Sequence, residues 1–272
     1  MDKLALLKRF KDPIPVLDHG HVRLVDVLGD DARVEAAARL SYQEGTRKTS
    51  EITGLLRHLL RNRHTTPFEK CVIELDIKMP IFVARQFVRH RTQSLNELSG
   101  RYSVLPEEYY VPDPEQICFQ DTKNKQGRDG PLPLDEANHA RANMRAMAAD
   151  EFKHYHWMLD QGIARETSRM NLPLNAYTQW WSTTNLHNLL HFLSLRANPH
   201  AQWEAVQFAN AIAKIVKAWV PITYAAFEDY VLHAHTFSRQ EMNALRTMMN
   251  AFLDLEVEAE RSSSLKSVDS KE

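Results

Sequence analysis

Between Arg89 and Tyr102 the chain reads Arg-His-Arg-Thr-Gln-Ser-Leu-Asn-Glu-Leu-Ser-Gly-Arg-Tyr, three arginines, a histidine and two serines around a single carboxylate. Guanidinium forks bind phosphate and carbonyl oxygens two at a time. A surface loop has no need of three such groups beside hydroxyls, whereas a site for a planar, phosphorylated ligand does. Within the stretch, Ser99-Gly100-Arg101 offers a hydroxyl, a backbone free to approach closely and a fixed cation, the parts of a phosphate clamp. Other chemistries lack their residues. The eight glycines form neither a dinucleotide fingerprint nor a P-loop, and neither H-E-x-x-H nor G-x-S-x-G occurs. Cys71 shares the apolar register of Ile73 and Leu75, the place of a packed thiol, and Cys118 falls beside a polar loop. A reaction here must run without cysteine.

These residues need a frame. Cys71 to Met79 alternates apolar Ile73, Leu75, Ile77 and Met79 with Glu74, Asp76 and Lys78, the period of a half-buried strand. Pro80 ends it and opens a helix from Ile81 to about His90, on which Gln86, Arg89 and His90 share a face. Upstream, Val22 to Val27 reads as a strand. Gly29-Asp30-Asp31 caps a helix through Ala36 to Leu40, and Thr49 or Ser50 caps another carrying Ile52 to Leu60, broken at His64 to Glu69. Residues 112–133 read as an exposed, mobile loop, followed by a long helix from about Asp135 to Leu159 that stops near Gly162. Short helical stretches are expected through Arg169 and around Tyr177 to Trp181. Thr184 or Asn185 caps a helix with Leu186, Leu189, Leu190 and Leu193. Asn198-Pro199 caps the next, whose stripe is Phe208, Ile212, Ile215, Val216 and Trp219 before Pro221. The outcome is α+β, long helices around a small, mainly antiparallel sheet, as one domain over 1–255 with a disordered tail at 256–272.

Composition sets the limits. The chain has 272 residues, 43% hydrophobic and 25% charged, with a formal net charge of -1. A protein gripping polyanions over a wide surface would be basic, so nucleic acid is not the expected partner. No run suits a bilayer, the N-terminus lacks a secretory pattern, and two cysteines make no disulfide framework, which points to the cytoplasm. His187 and His191 stand four apart, with His154, His156 and His200 available, but no acidic partner matches them. Among thirteen histidines such a pair arises by chance, and no metal is expected.

Arg89-His90-Arg91, seven residues, then Ser99 resembles the signature of the flavin-dependent thymidylate synthases. Pro80-Ile81-Phe82-Val83-Ala84-Arg85-Gln86 precedes it as in that family, His64 and Thr66-Pro67-Phe68-Glu69 lie upstream, and Leu195-Arg196 with His200-Ala201-Gln202-Trp203-Glu204 lie downstream. The likeness spans about Arg33 to Tyr230. It implies a homotetramer with active sites shared between subunits, holding FAD and methylating dUMP to dTMP, with 5,10-methylenetetrahydrofolate as carbon donor and NADPH as reductant. By position, Thr66, Arg89, His90, Arg91, Glu97, Asn185, Leu186, His187 and His191 fall at FAD-binding places, His191 where relatives often have asparagine. Arg85, Gln86, Phe87, Val88, Arg89, Glu97, Leu98, Ser99, Gly100, Arg101, Arg169 and Arg196 fall at the nucleotide's. Arg196 matches the residue that assists ionisation of the uracil ring, and His64 lies near flavin and folate.

Plainer readings stand beside these. Arg85 suits a surface or interface charge, Glu97 a pairing with Arg101, His64 a loop carbonyl, and Trp180, Trp181 and Trp203 the core or subunit contacts. Two other classes compete: a nucleic-acid module stacking bases on Tyr102 and Tyr109, and a histidine-metal hydrolase.

Overall fold

The computed structural model describes residues 2–40 and 51–252. The expected cap at Thr49 or Ser50 and the tail at 256–272 lie outside them. The chain divides into two units, Met1–Leu232 and His233–Glu272. The first holds strands β1 Ile14–Val16, β2 Gly20–Leu28, β3 Val72–Pro80, β4 Ser94–Glu97, β5 Cys118–Gln120, β6 Arg128–Pro131 and β7 Tyr177–Asn185. Its helices are α1 Lys3–Arg9, α2 Asp31–Arg39, α3 Ile52–Arg61, α4 Ile81–Phe87, α5 Leu134–Asp160, α6 Arg165–Ser168, α7 Leu186–Arg196, α8 Trp203–Trp219 and α9 Pro221–Phe227. In the second unit residues 239–252 are helical. That helix is entered through a reciprocal cap, in which the Glu241 N–H donates to Ser238 Oγ and the Ser238 N–H to the Glu241 carboxylate.

Five strands form one antiparallel sheet in the order β1-β2-β3-β7-β4. The alternation read in β3 is observed with Ile73, Leu75, Ile77 and Met79 buried, except that Asp76 on the other face is buried too, accepting from Arg23 and Gln179. They face the core with Leu186, Leu189 and Leu193 of α7 and Phe208, Ile212, Ile215 and Val216 of α8. Each such side chain contributes about 1.5–3 kcal/mol of transfer free energy. The fold class is the one expected, α+β with an antiparallel sheet.

Three local expectations are corrected. Tyr177 to Trp181 is not helical but begins β7, paired along its length with β3 from Pro80↔Tyr177 to Val72↔Asn185. Alternation is the physical reason: Trp180 and Ser182 turn inward while Trp181 is half exposed, and β-branched Thr178, Thr183 and Thr184 favour extended backbone. Residues 112–133 are not a featureless loop. They contain the β5–β6 hairpin, whose turn is built on Asp121, accepting from the N–H groups of Lys123 at 2.7 Å and Asn124 at 3.1 Å. Arg128 pins it by donating to the Gln116 carbonyl and side chain while lying over the Trp203 ring. Asn198 does not cap α8, which starts at Trp203. Its side chain instead accepts from the His200 N–H in a local turn.

One corner joins distant parts of the chain. Asp30 caps α2 as expected. The buried Asp31 reaches across to α9, accepting from the N–H of Ile222 at 2.9 Å and from the N–H and hydroxyl of Thr223 at 3.0 and 2.6 Å. Gly29, at φ +79, presents its carbonyl to the indole N–H of Trp219 at 2.7 Å.

Candidate active site

Two connections place the reactive residues. At the first, β7 runs into α7 with no loop between them. Asn185 pairs with Val72 on β3 while its side chain accepts from the Asn188 N–H at 2.9 Å, and Arg196 is the last residue of the helix so begun. At the second, β3 runs into α4, which ends at Phe87, and His90 closes the following turn through its N–H to the Phe87 carbonyl.

The two meet at Arg196. Its Nε–H donates to His90 Nε2 at 3.0 Å, one terminal nitrogen to Gln86 Oε1 at 3.4 Å and the other to the Gln86 carbonyl at 3.2 Å. The His90 ring stands edge-on to Phe192 at 4.9 Å and near His191 at 6.3 Å. Burial first, then the positive charge of Arg196 and the neighbouring His191 ring, push His90 down to about 4, so the ring is neutral at neutral pH. Because Nε2 accepts, the ring proton resides on Nδ1. Burial also lowers the guanidinium of Arg196, which stays a cation. Among the described residues its hydrogen-bond partners are all neutral. The result is a half-buried positive charge, oriented from three sides and, among the described residues, paired with no carboxylate.

The signature stretch is more ordered than a loop. Its middle, Ser94–Glu97, is the edge strand β4 on β7, extended by the Leu98 N–H donating to the Gln179 carbonyl. Gln93 anchors the approach, donating to the Phe87 carbonyl and accepting from the Ser182 hydroxyl at 2.9 Å. Glu97 does not pair with Arg101. It accepts from the Thr178 hydroxyl at 2.6 Å, and Arg101 pairs instead with Glu166 of α6 at 3.1 Å. Arg165 donates to the Tyr102 carbonyl at 2.9 Å, so α6 backs the loop from behind. Gly100 is buried, and a Cβ there would lie 3.0 Å from both Arg169 Cδ and Leu105 Cδ1. Glycine lets the turn rest on the Arg169 side chain.

Other expected site residues make no hydrogen bond to Arg196 among the described residues. Arg85, Arg89, Arg91 and Arg169 are exposed, and among the described residues no carboxylate lies within ion-pair distance of them. Phe87 and Leu186 are buried in the core, Val88 and Leu98 are exposed, and His187 is half-buried on the first turn of α7. His64 and Thr66 lie exposed beyond α3, where the His64 ring meets His58 at 5.9 Å. Among the described residues no hydrogen bond or ring contact joins either of them to Arg196 or His90. Cys71 is fully buried, its thiol pushed up to about 12 by burial, and it is no nucleophile. Among the described residues no group of three histidine, cysteine or acidic side chains is arranged to hold a metal, and no helix is long and apolar enough to cross a membrane.

Thr178, Glu166, Gln93 and Gln202 escaped sequence reading as site residues. Gln202 and Glu204 stand in the block His200 to Glu204 with no role attached, and no local signal pairs them with a residue on α4.

The chain is similar to known proteins over most of its length. A family model described as thymidylate synthase complementing protein matches residues 23–222. A flavin-dependent thymidylate synthase of Thermus thermophilus is 51% identical over 236 residues, 87% of this chain and 86% of that protein. One of Anaplasma marginale is 50% identical over 234 residues, 86% of this chain and 80% of its own. A crystal structure of the UMP/dUMP methylase PolB from Streptomyces cacaoi bound with 5-Br UMP superposes with a TM-score of 0.72 at 34% identity, covering 80% of this chain and 98% of that one. The same methylase bound with 5-Br dUMP gives 0.71 at 33% identity. With nearly three quarters of its length matched by the family model and about half of the aligned residues shared with these relatives, the chain belongs to the thymidylate synthase complementing protein family, the family of the flavin-dependent thymidylate synthases.

Proposed function

We propose that this protein methylates dUMP to dTMP in the cytoplasm, holding FAD, taking carbon from 5,10-methylenetetrahydrofolate and reducing equivalents from NADPH. The observation that carries the reading is the charge of Arg196. It is half-buried, aimed by His90 and Gln86, and left uncompensated by them. A cation so placed stabilises negative charge as it develops at the N3/O2 edge of a uracil ring, which makes C5 nucleophilic without a covalent bond to the protein. Neutral His90 matters for that role. A protonated imidazole would repel the guanidinium, and an acid in its place would neutralise it.

The remaining residues divide the ligands. Ser99, Gly100, Arg101 and Arg169 hold the nucleotide phosphate, with Glu97, Leu98 and the turn from Arg85 to Val88 around the base and sugar. The donor set also fits FAD. Arg89 and Arg91 are exposed cations with no acidic partner among the described residues, suited to a pyrophosphate. Asn185 spends its oxygen on the α7 cap and keeps its amide N–H groups as donors, beside His187 and His191 on the same helix. When bound, FAD supplies the hydride and one-carbon transfer, so the protein's share is orientation, electrostatics and exclusion of water. Thr66 and His64 belong to the flavin and folate side. They join the site across subunits of a homotetramer, which is consistent with their lack of any hydrogen bond to the Arg196 group.

Tritium release from 5-labelled dUMP by the flavin-loaded protein tests the reading. Release should require methylenetetrahydrofolate, and NADPH oxidation should change when dUMP is added. A yellow, folded protein that releases no tritium under any of these conditions would overturn it.

A further inference from the structure

The polar chain at Arg196 continues past Gln86. The Gln86 amide N–H donates to Gln202 Oε1, Gln202 Nε2 donates to Glu204 Oε2 at 2.9 Å, and Glu204 Oε1 accepts from the Tyr110 hydroxyl at 3.5 Å. Gln202 precedes α8, and Glu204 is buried in its first turn. Burial, and next the charge of Glu204, push the Tyr110 hydroxyl up, so it keeps its proton and donates.

Hydrogen-bond inventory fixes the direction of this chain. Arg196 only donates and the Glu204 carboxylate only accepts. Two side-chain amides lie between them, each able to point either way. Only one combination leaves no donor facing a donor: Gln202 turns its NH2 to Glu204, Gln86 turns its NH2 to Gln202, and the Gln86 carbonyl oxygen is left for Arg196. Flipping either amide sets oxygen against oxygen or NH2 against guanidinium. A pair of amides that would otherwise adopt mixed orientations is thus held in a single one by its two ends.

We propose that Gln202 and Glu204 are positioning residues of the nucleotide site, acting through Gln86 to fix the face of its amide and the direction of the Arg196 guanidinium. The proposal rests on the reading of Arg196 as the cation opposite the pyrimidine. Neither residue need touch the nucleotide, and their effect should vanish when Gln86 is gone.

A double-mutant cycle on the full-length, flavin-loaded enzyme tests this. Gln202→Ala, at an exposed position, should lower kcat/KM for dUMP about tenfold, the size of one lost hydrogen bond to a charged network, with flavin content and the folded state read by circular dichroism unchanged. In a Gln86→Ala background the same change should cost less than twofold. Losses that multiply in the double variant, or wild-type kinetics in Gln202→Ala, would overturn the proposal. Glu204→Gln replaces the acceptor-only end by an amide that allows both directions, and should fall between Gln202→Ala and wild type. The crystal structure of Gln202→Ala supplies a readout free of turnover, because the Gln86 amide should turn and Arg196 should lose its contact to Gln86 Oε1. An unturned amide that keeps this contact refutes the positioning claim, whereas a wild-type protein that releases no tritium refutes only the proposed activity.

Discussion

The molecule sets arginine in two contrasting places. Arg196 ends an eleven-residue helix, is half-buried, and is gripped by a neutral imidazole, an amide and a carbonyl. Arg101 sits on a turn, and both it and its partner Glu166 have side chains 57% exposed. The first has three hydrogen bonds and, among the described residues, no counter-charge. The second has a counter-charge that water screens and a ligand can displace. Orientation with retained charge suits a group that acts as the reaction proceeds. A loosely paired cation suits one that captures a phosphate and releases it again.

Substitutions should separate the two. Arg196→Ala should cost about 10²–10³ in kcat, the scale of removing one preorganised donor, while flavin binding persists in absorbance spectra. Turnover within a few-fold of wild type would remove Arg196 from the mechanism. Arg101→Ala should raise KM for dUMP about tenfold with kcat nearly unchanged, as expected for loss of a phosphate contact. An equal drop in kcat would make the two arginines alike and break the comparison.

The contrast extends to pH. With its pKa near 4 in the folded protein and 6.5 as the ordinary value, His90 favours folding in its neutral form. That contribution is complete above about pH 6.5 and is lost as the pH falls towards 4, because the unfolded chain takes up a proton that the folded one refuses. Denaturant melts of the wild type should show this slope, and His90→Gln should flatten it. The smallest effect belongs to Glu166→Gln, expected to change stability by no more than about 0.5 kcal/mol in the same melts. A larger loss would mean that the exposed pair is structural after all.

The parts legible in sequence were those whose message is local. The alternation of β3 and the stripe of α8 each report one buried face, and both are observed. The kinds of side chain in the signature stretch carry the proposal of a phosphate ligand, since guanidinium, hydroxyl and glycine suit one at any fold. What escaped was set by distant partners. The pair Trp180-Trp181 obscures the period of β7, whose strand character depends on β3 about a hundred positions earlier in the chain. The plainer pairing of Glu97 with Arg101 does not form, because Glu97 accepts from Thr178 and Arg101 pairs with Glu166, neither of them near in sequence. The amide relay joins Gln86 to Gln202 across 116 positions, and no periodicity records it.

The clasp between Asp31 and Thr223 has a consequence for how the protein is made. Its two halves are 192 positions apart, and at about 5–20 residues per second of translation the carboxylate emerges roughly 10–40 s before the amides that it will cap. Throughout that interval the β2–α2 corner carries a solvated acid destined for the interior. Closure of the first unit is therefore a late event, deferred until the ribosome has delivered almost the whole of it.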